Sequence, residues 1–193
     1  CGDAESLPFA DASFDMLFSN LTIQWCGDLE RTFSEMKRVL KPGGVVLYTT
    51  LGPDTLKELR ASWAAVDEQV HVNTFLDMHD VGDAMLRARL AEPVMDMEQL
   101  TMTYEDAMTL MRDLKTLGAH NVNPGRTHGL TAPKKVKAVI QAYEQFRSAD
   151  NLLPASYEVV YGHAWRAEKE EEISQHPPGE FAISLDQLGG HNG

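Results

Sequence analysis

The chain has 193 residues, 43% hydrophobic and 24% charged, the composition of an ordinary folded domain, which excludes collagen-like, low-complexity and wholly disordered readings. Acidic residues outnumber basic ones 29 to 17, for a net charge of −12. So negative a surface repels nucleic-acid phosphates and anionic lipid, and neither is expected as a main partner. Cys1 and Cys26 cannot build a disulfide framework, and no CxxC or Cys/His cluster suggests zinc. Reduced thiols, a cytoplasmic location and no metal are the expectation. No apolar run has the length of a membrane span, and no basic stretch followed by an apolar one marks a signal peptide.

In chain order, Leu7-Pro8-Phe9 and Asp11-Ala12-Ser13 read as loop, and Phe14 to Ser19 as a short strand ending at Asn20. Asp28 is placed to N-cap a helix with apolar positions Leu29, Phe33, Met36 and Leu40, stopped by Pro42-Gly43-Gly44. Val45 to Leu51 is a near-continuous apolar and β-branched run, expected to be covered on both faces. Strand, helix and buried strand in that order predict a βαβ unit and a parallel sheet.

Leu56, Leu59, Trp63 and Val66 mark a helix after Pro53, and Asp77 or Asp80 starts another. Pro93 to Tyr104 is strand-like, with Val94, Leu100, Met102 and Tyr104 on one parity. Thr103 and Asp106 approximate a capping box for a helix burying Ala107, Leu110, Met111, Leu114 and Leu117 and ending at Gly118. Thr131, with Pro133 in the first turn, starts a helix whose stripe is Val136, Val139, Ile140, Tyr143 and Phe146. Ser156 to Arg166 alternates, with Tyr157, Val159, Tyr161, His163 and Trp165 on one side, as in an antiparallel edge strand packed on one face. The acidic stretch 167–193 reads as a solvated tail.

Three blocks carry a resemblance: Gly2-Asp3-Ala4-Glu5-Ser6-Leu7-Pro8-Phe9, Ser13-Phe14-Asp15 with the strand to Ser19-Asn20, and Arg38-Val39-Leu40-Lys41-Pro42-Gly43-Gly44. Their order and spacing resemble the distal half of a class I S-adenosylmethionine-dependent methyltransferase. Further blocks, Ser19 to Cys26, Thr49-Thr50-Leu51, Phe75-Leu76, Met111 to Asn121 and Gly125-Arg126, resemble the malonyl-acyl-carrier-protein O-methyltransferase family of biotin synthesis. The resemblance runs from about Gly2 to Arg166. It implies an α/β fold, the distal half of a Rossmann-like sheet, mostly parallel with an antiparallel edge strand, plus a helical lid insertion. On this reading residues 1–51 are the distal part of the cofactor-binding core, 52–130 a helical connection, strand and substrate lid, and 131–166 the final helix and antiparallel strand. The family's glycine-rich loop and ribose-binding acid would lie upstream of Cys1, in three βα units of about 30 residues each.

The resemblance also implies site residues. Asp3, which beside Gly2 reads locally as a turn residue, would meet the adenine amino group of S-adenosylmethionine, with the Ala4 N–H toward a ring nitrogen. Ser19, Asn20, Leu21, Gln24 and Trp25 would surround the methionine and sulfonium end, where an aromatic face attracts the cation. The acceptor would be a malonyl thioester on acyl carrier protein or coenzyme A. Its carboxylate is ionised at neutral pH, so alignment and water exclusion, not an acid–base residue, would do the catalysis. Arg126 first, then Arg112, would meet that carboxylate, with His120 and Asn121 as donors. Lys134, Lys135 and Lys137, with Arg38 and Lys41, form a candidate basic surface for an acidic carrier. Two other readings are a methyltransferase-fold relative acting on a protein, like a respiratory-complex assembly factor, and a non-catalytic relative.

Overall fold

A computed structural model describes residues 2–117 and 132–168. The elements are β1 (Phe14–Asn20), a 3-10 turn (Ile23–Trp25), α1 (Leu29–Val39), β2 (Leu40–Leu51), α2 (Lys57–Ala64), α3 (Met78–Arg87), β3 (Ala91–Tyr104), α4 (Ala107–Thr116), α5 (Pro133–Tyr143), a 3-10 turn (Glu144–Phe146) and β4 (Leu153–Trp165).

The four strands form one sheet in the order β1-β2-β4-β3. β1 and β2 are parallel, and β4 runs antiparallel to both β2 and β3. Three strands therefore point one way and one the other, as expected. The antiparallel strand is not at the edge, however. Val159–Trp165 of β4 pairs with Val45–Leu51 of β2, and its other side pairs with β3, which is the edge among the described residues.

Side-chain alternation located both faces of β4 but not the covered one. Ser156, Glu158, Val160 and Ala164 are buried, whereas Tyr161 and Trp165 are 40% and 39% exposed. Small residues let the helices close on this face: the Tyr48 ring lies directly over Gly162, where any Cβ would collide with it. On β2, likewise, Val46, Tyr48 and Thr50 are buried while Val45, Leu47, Thr49 and Leu51 are half-buried, so this strand is fully covered on one face only.

The helices α1 and α3 cover that face with a core including Phe33, Met36, Val46, Tyr48, Val81 and Met85. A second core gathers α2, α4 and α5 against Tyr104, Leu153 and Ala155. The sheet's other face is covered at that end; Met16, Phe18, Val94 and Leu100 on the same parity are 41 to 69% exposed.

The helix ends follow local chemistry. Asp28 caps α1 by accepting from Arg31 N–H, and Asp77 caps α3 by accepting from His79 N–H. Asp106 is itself the N-cap of α4, its two oxygens taking the Thr109 N–H and hydroxyl. It therefore replaces Thr103 in that role. The N-cap position of α5 is Ala132, with Pro133 opening the helix, and Thr131 lies outside the described residues. Leu117 is 78% exposed rather than buried on α4.

α1 ends at Val39, before Pro42, and Lys41–Gly44 joins β2 as a bulge: Phe14 pairs with Leu40 and Met16 with Val45. Gly43, at φ +76°, makes the turn. The Arg166 guanidinium closes the helix by donating to the carbonyls of Leu40 at 2.6 Å and Arg38 at 3.2 Å.

Candidate active site

The site is built where β1 and β2 end, the carboxyl edge at which open α/β sheets bind ligands. After Asn20 the chain turns through Leu21 in the left-handed region, φ +47°. Thr49 on β2 fixes that turn. Leu21 N–H donates to Thr49 O at 3.1 Å and to Thr49 Oγ1 at 3.0 Å, and the Thr49 hydroxyl donates to Asn20 Oδ1 at 2.6 Å. Gln24 holds the same turn from the other side. Its Nε2 donates to Leu21 O at 2.8 Å and its Oε1 accepts from Thr50 Oγ1 at 3.3 Å. Gln24 thus shapes the backbone rather than leaving its amide free for a ligand.

Beside the turn lies a cavity of about 300 Å³, lined among others by Leu21, Gln24, Trp25, Leu51, His71 and Phe75. A second, of about 420 Å³, adjoins it along Leu100, Met102, Asp113 and Val159; Leu21, Leu51, Leu117 and Tyr157 line both. Their walls are mainly apolar, which suits a reaction that must exclude water. Burial pushes the Tyr157 phenol up to about 12, so it stays neutral there. Trp25 is 43% exposed, an aromatic face open to this space.

Asp3 and Ala4 lie in a loop that folds back toward Trp25. The Asp3 Oδ1 accepts from Glu5 N–H at 2.9 Å, a turn bond, and its Oδ2 makes no hydrogen bond among the described residues. Glu5 Oε1 accepts from Gly27 N–H at 2.6 Å and Asp28 N–H at 3.1 Å, just past Trp25. Downstream, the loop is held to α1 by Glu35, which takes Leu7 N–H, and by Arg38, which donates to Leu7 O, Phe9 O and Asp11. Cys26, half-buried behind this loop, has its thiol pushed up by desolvation.

Of the seven residues the sequence assigned to the cofactor, Leu21, Gln24 and Trp25 line the cavity, Asn20 stands at the turn that shapes it, and Asp3 and Ala4 lie in the loop that Glu5 ties to Gly27 and Asp28. Ser19 sits inside β1 opposite Tyr48, on the parity of Leu17, which packs against the core under the helices. Arg112 is exposed and does not line either cavity, although its helix supplies Asp113, Leu114 and Thr116 to them. Arg126, His120 and Asn121 lie outside the described residues. The expected basic surface is largely taken up: Arg38 pairs with Glu35 and Asp11, Lys41 with Asp15, and Lys135 with Asp67.

Sequence reasoning missed His71, Tyr157, Thr49 and Glu5. The first two reach the site from a connection and from the last strand, which only the folded topology brings to the end of β2. Thr49 and Glu5 were each visible as part of a resembling block but carried no role. Among the described residues, no group of three or more His, Cys, Asp or Glu side chains is placed to hold a metal, and no helix is long and apolar enough to cross a membrane.

Residues 1–48 match the family model described as a methyltransferase domain. The malonyl-[acyl-carrier protein] O-methyltransferase of Gallionella capsiferriformans is 54% identical over 166 residues, covering 86% of this chain and 57% of that protein. That of Halorhodospira halophila is 49% identical, covering 86% and 56%. The biotin biosynthesis bifunctional protein BioHC of Saccharophagus degradans is 49% identical over 83% of this chain and 30% of its own length. The chain spans little more than half the length of the first two relatives. Among solved structures, the BH2331 protein of Bacillus halodurans, described as a methyltransferase, aligns with a TM-score of 0.55 at 15% identity, over 86% of this chain and 70% of that one. The YcgJ protein of Bacillus subtilis aligns with a TM-score of 0.55 at 18% identity, over 87% and 70%. In fold the chain resembles these solved structures, and over 86% of its length it is similar in sequence to proteins named malonyl-[acyl-carrier protein] O-methyltransferase.

Proposed function

We propose that this protein transfers a methyl group from S-adenosylmethionine to the free carboxylate of a malonyl thioester, on acyl carrier protein or on coenzyme A, in the cytoplasm. The observation that supports it most is a cavity at the ends of β1 and β2 with an open Trp25 face, in a chain 54% identical to a protein named for that reaction. The residues present fit the cofactor. Asp3 Oδ2 is left to accept from an amino group, and Trp25 offers its ring to a cation. The cofactor supplies an electrophilic methyl on a sulfonium.

The protein's part is to hold and orient. The Leu21 turn, fixed by Thr49 and Gln24, sets the wall beside Trp25, and the apolar lining from Leu51 and Phe75 keeps water out. The acceptor is already an anion, so no base is required. Arg126 is the first choice for the cation that aims it, with Arg112 second and His120 and Asn121 as further donors; a guanidinium can hold both carboxylate oxygens at once.

The test is a methylation assay on the protein expressed from its complete reading frame, with malonyl-acyl-carrier protein and malonyl-CoA and mass detection of the methyl ester. Arg126→Ala should abolish or strongly reduce transfer while leaving cofactor binding intact, and Arg126→Lys should restore it partly. Loss in Arg112→Ala alone would move the role to Arg112. No ester from either thioester with the wild type would overturn the reading.

A further inference from the structure

The connection from α2 to α3 carries an ion-paired cluster that the proposed reaction has not yet used. The His71 ring lies flat on Trp63, centroids 3.7 Å apart and planes 16° apart. Its Nε2 is 2.7 Å from Asp67 Oδ1, and Lys135 Nζ from α5 is 2.8 Å from the other oxygen, Oδ2. The His71 side chain is 14% exposed, and His71 lines the same cavity as Trp25. Stacking fixes the plane of the ring and Asp67 fixes its rotation. Among the described residues Nδ1 makes no hydrogen bond, so it is the atom left for a ligand.

We infer that His71 receives the free carboxylate of the acyl acceptor together with the guanidinium proposed for it above, as an imidazolium donating from Nδ1. This rests on the reading of the acceptor as a malonyl thioester. The argument is one of charge and geometry. Asp67 and Lys135 cancel each other, so with a neutral ring this cluster of described residues offers an incoming anion no net positive charge. With Nε2–H directed at Asp67, the neutral ring turns a lone pair toward the ligand and repels it. A second proton, on Nδ1, makes a donor of that atom, and the cluster of Asp67, Lys135 and the ring then carries one positive charge to set against the carboxylate. Such balance is what a half-buried charge needs. Esterification removes the negative charge, so the methyl ester loses this contact and the site favours substrate over product.

Two measurements test it. In protein labelled with 15N-histidine, the wild type saturated with a malonyl thioester should show the His71 ring signals move to imidazolium positions, and its methyl ester should leave them in place. His71→Gln should raise KM for the malonyl thioester by about 10-fold with kcat little changed. Its affinity for S-adenosylmethionine and for the methyl ester, read by calorimetry, should stay as in the wild type. A ring that does not respond to the malonyl thioester overturns the inference, as does a His71→Gln protein that loses acid and ester binding equally, the mark of a structural stack. The labelled wild type decides if the variant does not fold. If the wild type transfers methyl groups normally but the ring stays neutral, only this inference fails. If it transfers none to any malonyl thioester, the reading beneath it fails first.

Discussion

Glu5 holds Gly27: the carboxylate Oε1 takes the Gly27 N–H at 2.6 Å and then the Asp28 N–H at 3.1 Å, while Arg31 Nε donates back to the Glu5 carbonyl at 2.9 Å. Gly27 and the N-cap Asp28 immediately precede the first turn of α1, and an anion beside that end is favoured by the helix dipole as well as by these hydrogen bonds. The consequence is positional. Asp3, two residues before Glu5, is fixed beside the segment that carries Trp25.

Glu5→Ala should therefore act on two properties. Stability should fall by about 1 kcal/mol, the usual worth of such a partly exposed charge-assisted cap. Cofactor affinity should fall too, although Glu5 itself touches only protein. Asp3→Ala should raise the cofactor Kd about 5-fold, for the loss of one hydrogen bond of roughly 1 kcal/mol, with the denaturation midpoint nearly unchanged. Calorimetric titration with S-adenosylmethionine, beside urea unfolding, separates the two. Equal affinity in both variants would leave the loop a purely structural one.

Tyr48 lies over Gly162 with its Oη buried and without a hydrogen-bond partner among the described residues. Burial pushes this phenol well above the usual tyrosine range. Tyr48→Phe removes an unsatisfied polar atom and keeps the ring, so stability should stay level or rise by up to about 1 kcal/mol. Gly162→Ala should do the opposite and cost about 2 kcal/mol or more, because the ring has no room to retreat from Phe33 behind it. Melting temperatures of the two single variants are sufficient; a stable Gly162→Ala would mean the sheet can shift away from α1.

What the sequence made legible divides along local and non-local lines. β1, α1 with its Asp28 cap, α3 from Asp77 and β3 follow from periodicity and cap chemistry within a few residues of one another. The place of β4 does not, because Val159–Trp165 pairs with residues more than a hundred positions away on β2. Alternation in Tyr157–Trp165 was visible, yet the covered side was the one with Gly162 and Ala164, since closeness of the helices, not side-chain size, decides burial. In the site, Trp25 and the Leu21 turn were readable as one contiguous block. His71 and Tyr157 were not, since no spacing in the chain announces that they meet Leu51.

Acid should unfold the protein through two identifiable carboxylates. Lys135, with help from His71 and the Gln69 N–H, holds Asp67 at about 2, and Arg38 with the Leu7 N–H holds Glu35 at about 2. Both lie below the ordinary carboxylate value near 4, so each contributes stability that is complete above about pH 4 and is lost as pH falls through about 2. Lys135→Met removes the Asp67 share. The gap in urea midpoint between wild type and Lys135→Met should be full at pH 6 and should close between about pH 4 and 2. A gap independent of pH would mean that Lys135 contributes through its aliphatic stem alone.

Glu58 is the last case, a carboxylate buried at 6% exposure that joins α2 to β4. One oxygen takes the Ser156 hydroxyl at 2.5 Å and the other the Ser156 N–H at 3.0 Å. Beside it Leu56 N–H donates to Ser156 O at 2.7 Å, and Thr55 and Gly52 bond the backbone of Glu158, so the chain leaving β2 continues along β4 after the regular ladder ends. These bonds set where α2 starts, and hence where Leu56 and Leu59 stand in the cavity wall. Glu58→Ala leaves the Ser156 N–H and hydroxyl buried without acceptors and opens a void, a loss of about 2–4 kcal/mol. Glu58→Gln keeps the shape and one acceptor oxygen and should recover part of it. Ser156→Ala alone should cost less, because the Glu58 carboxylate keeps the backbone N–H. In the double variant Glu58→Ala/Ser156→Ala the costs should sum to less than the two singles, since the hydroxyl stranded by the first change is removed by the second. Urea denaturation of the four proteins gives that coupling directly. Additive losses would show that Glu58 and Ser156 act independently, and that packing of Leu59, not this pair, anchors α2 on the sheet.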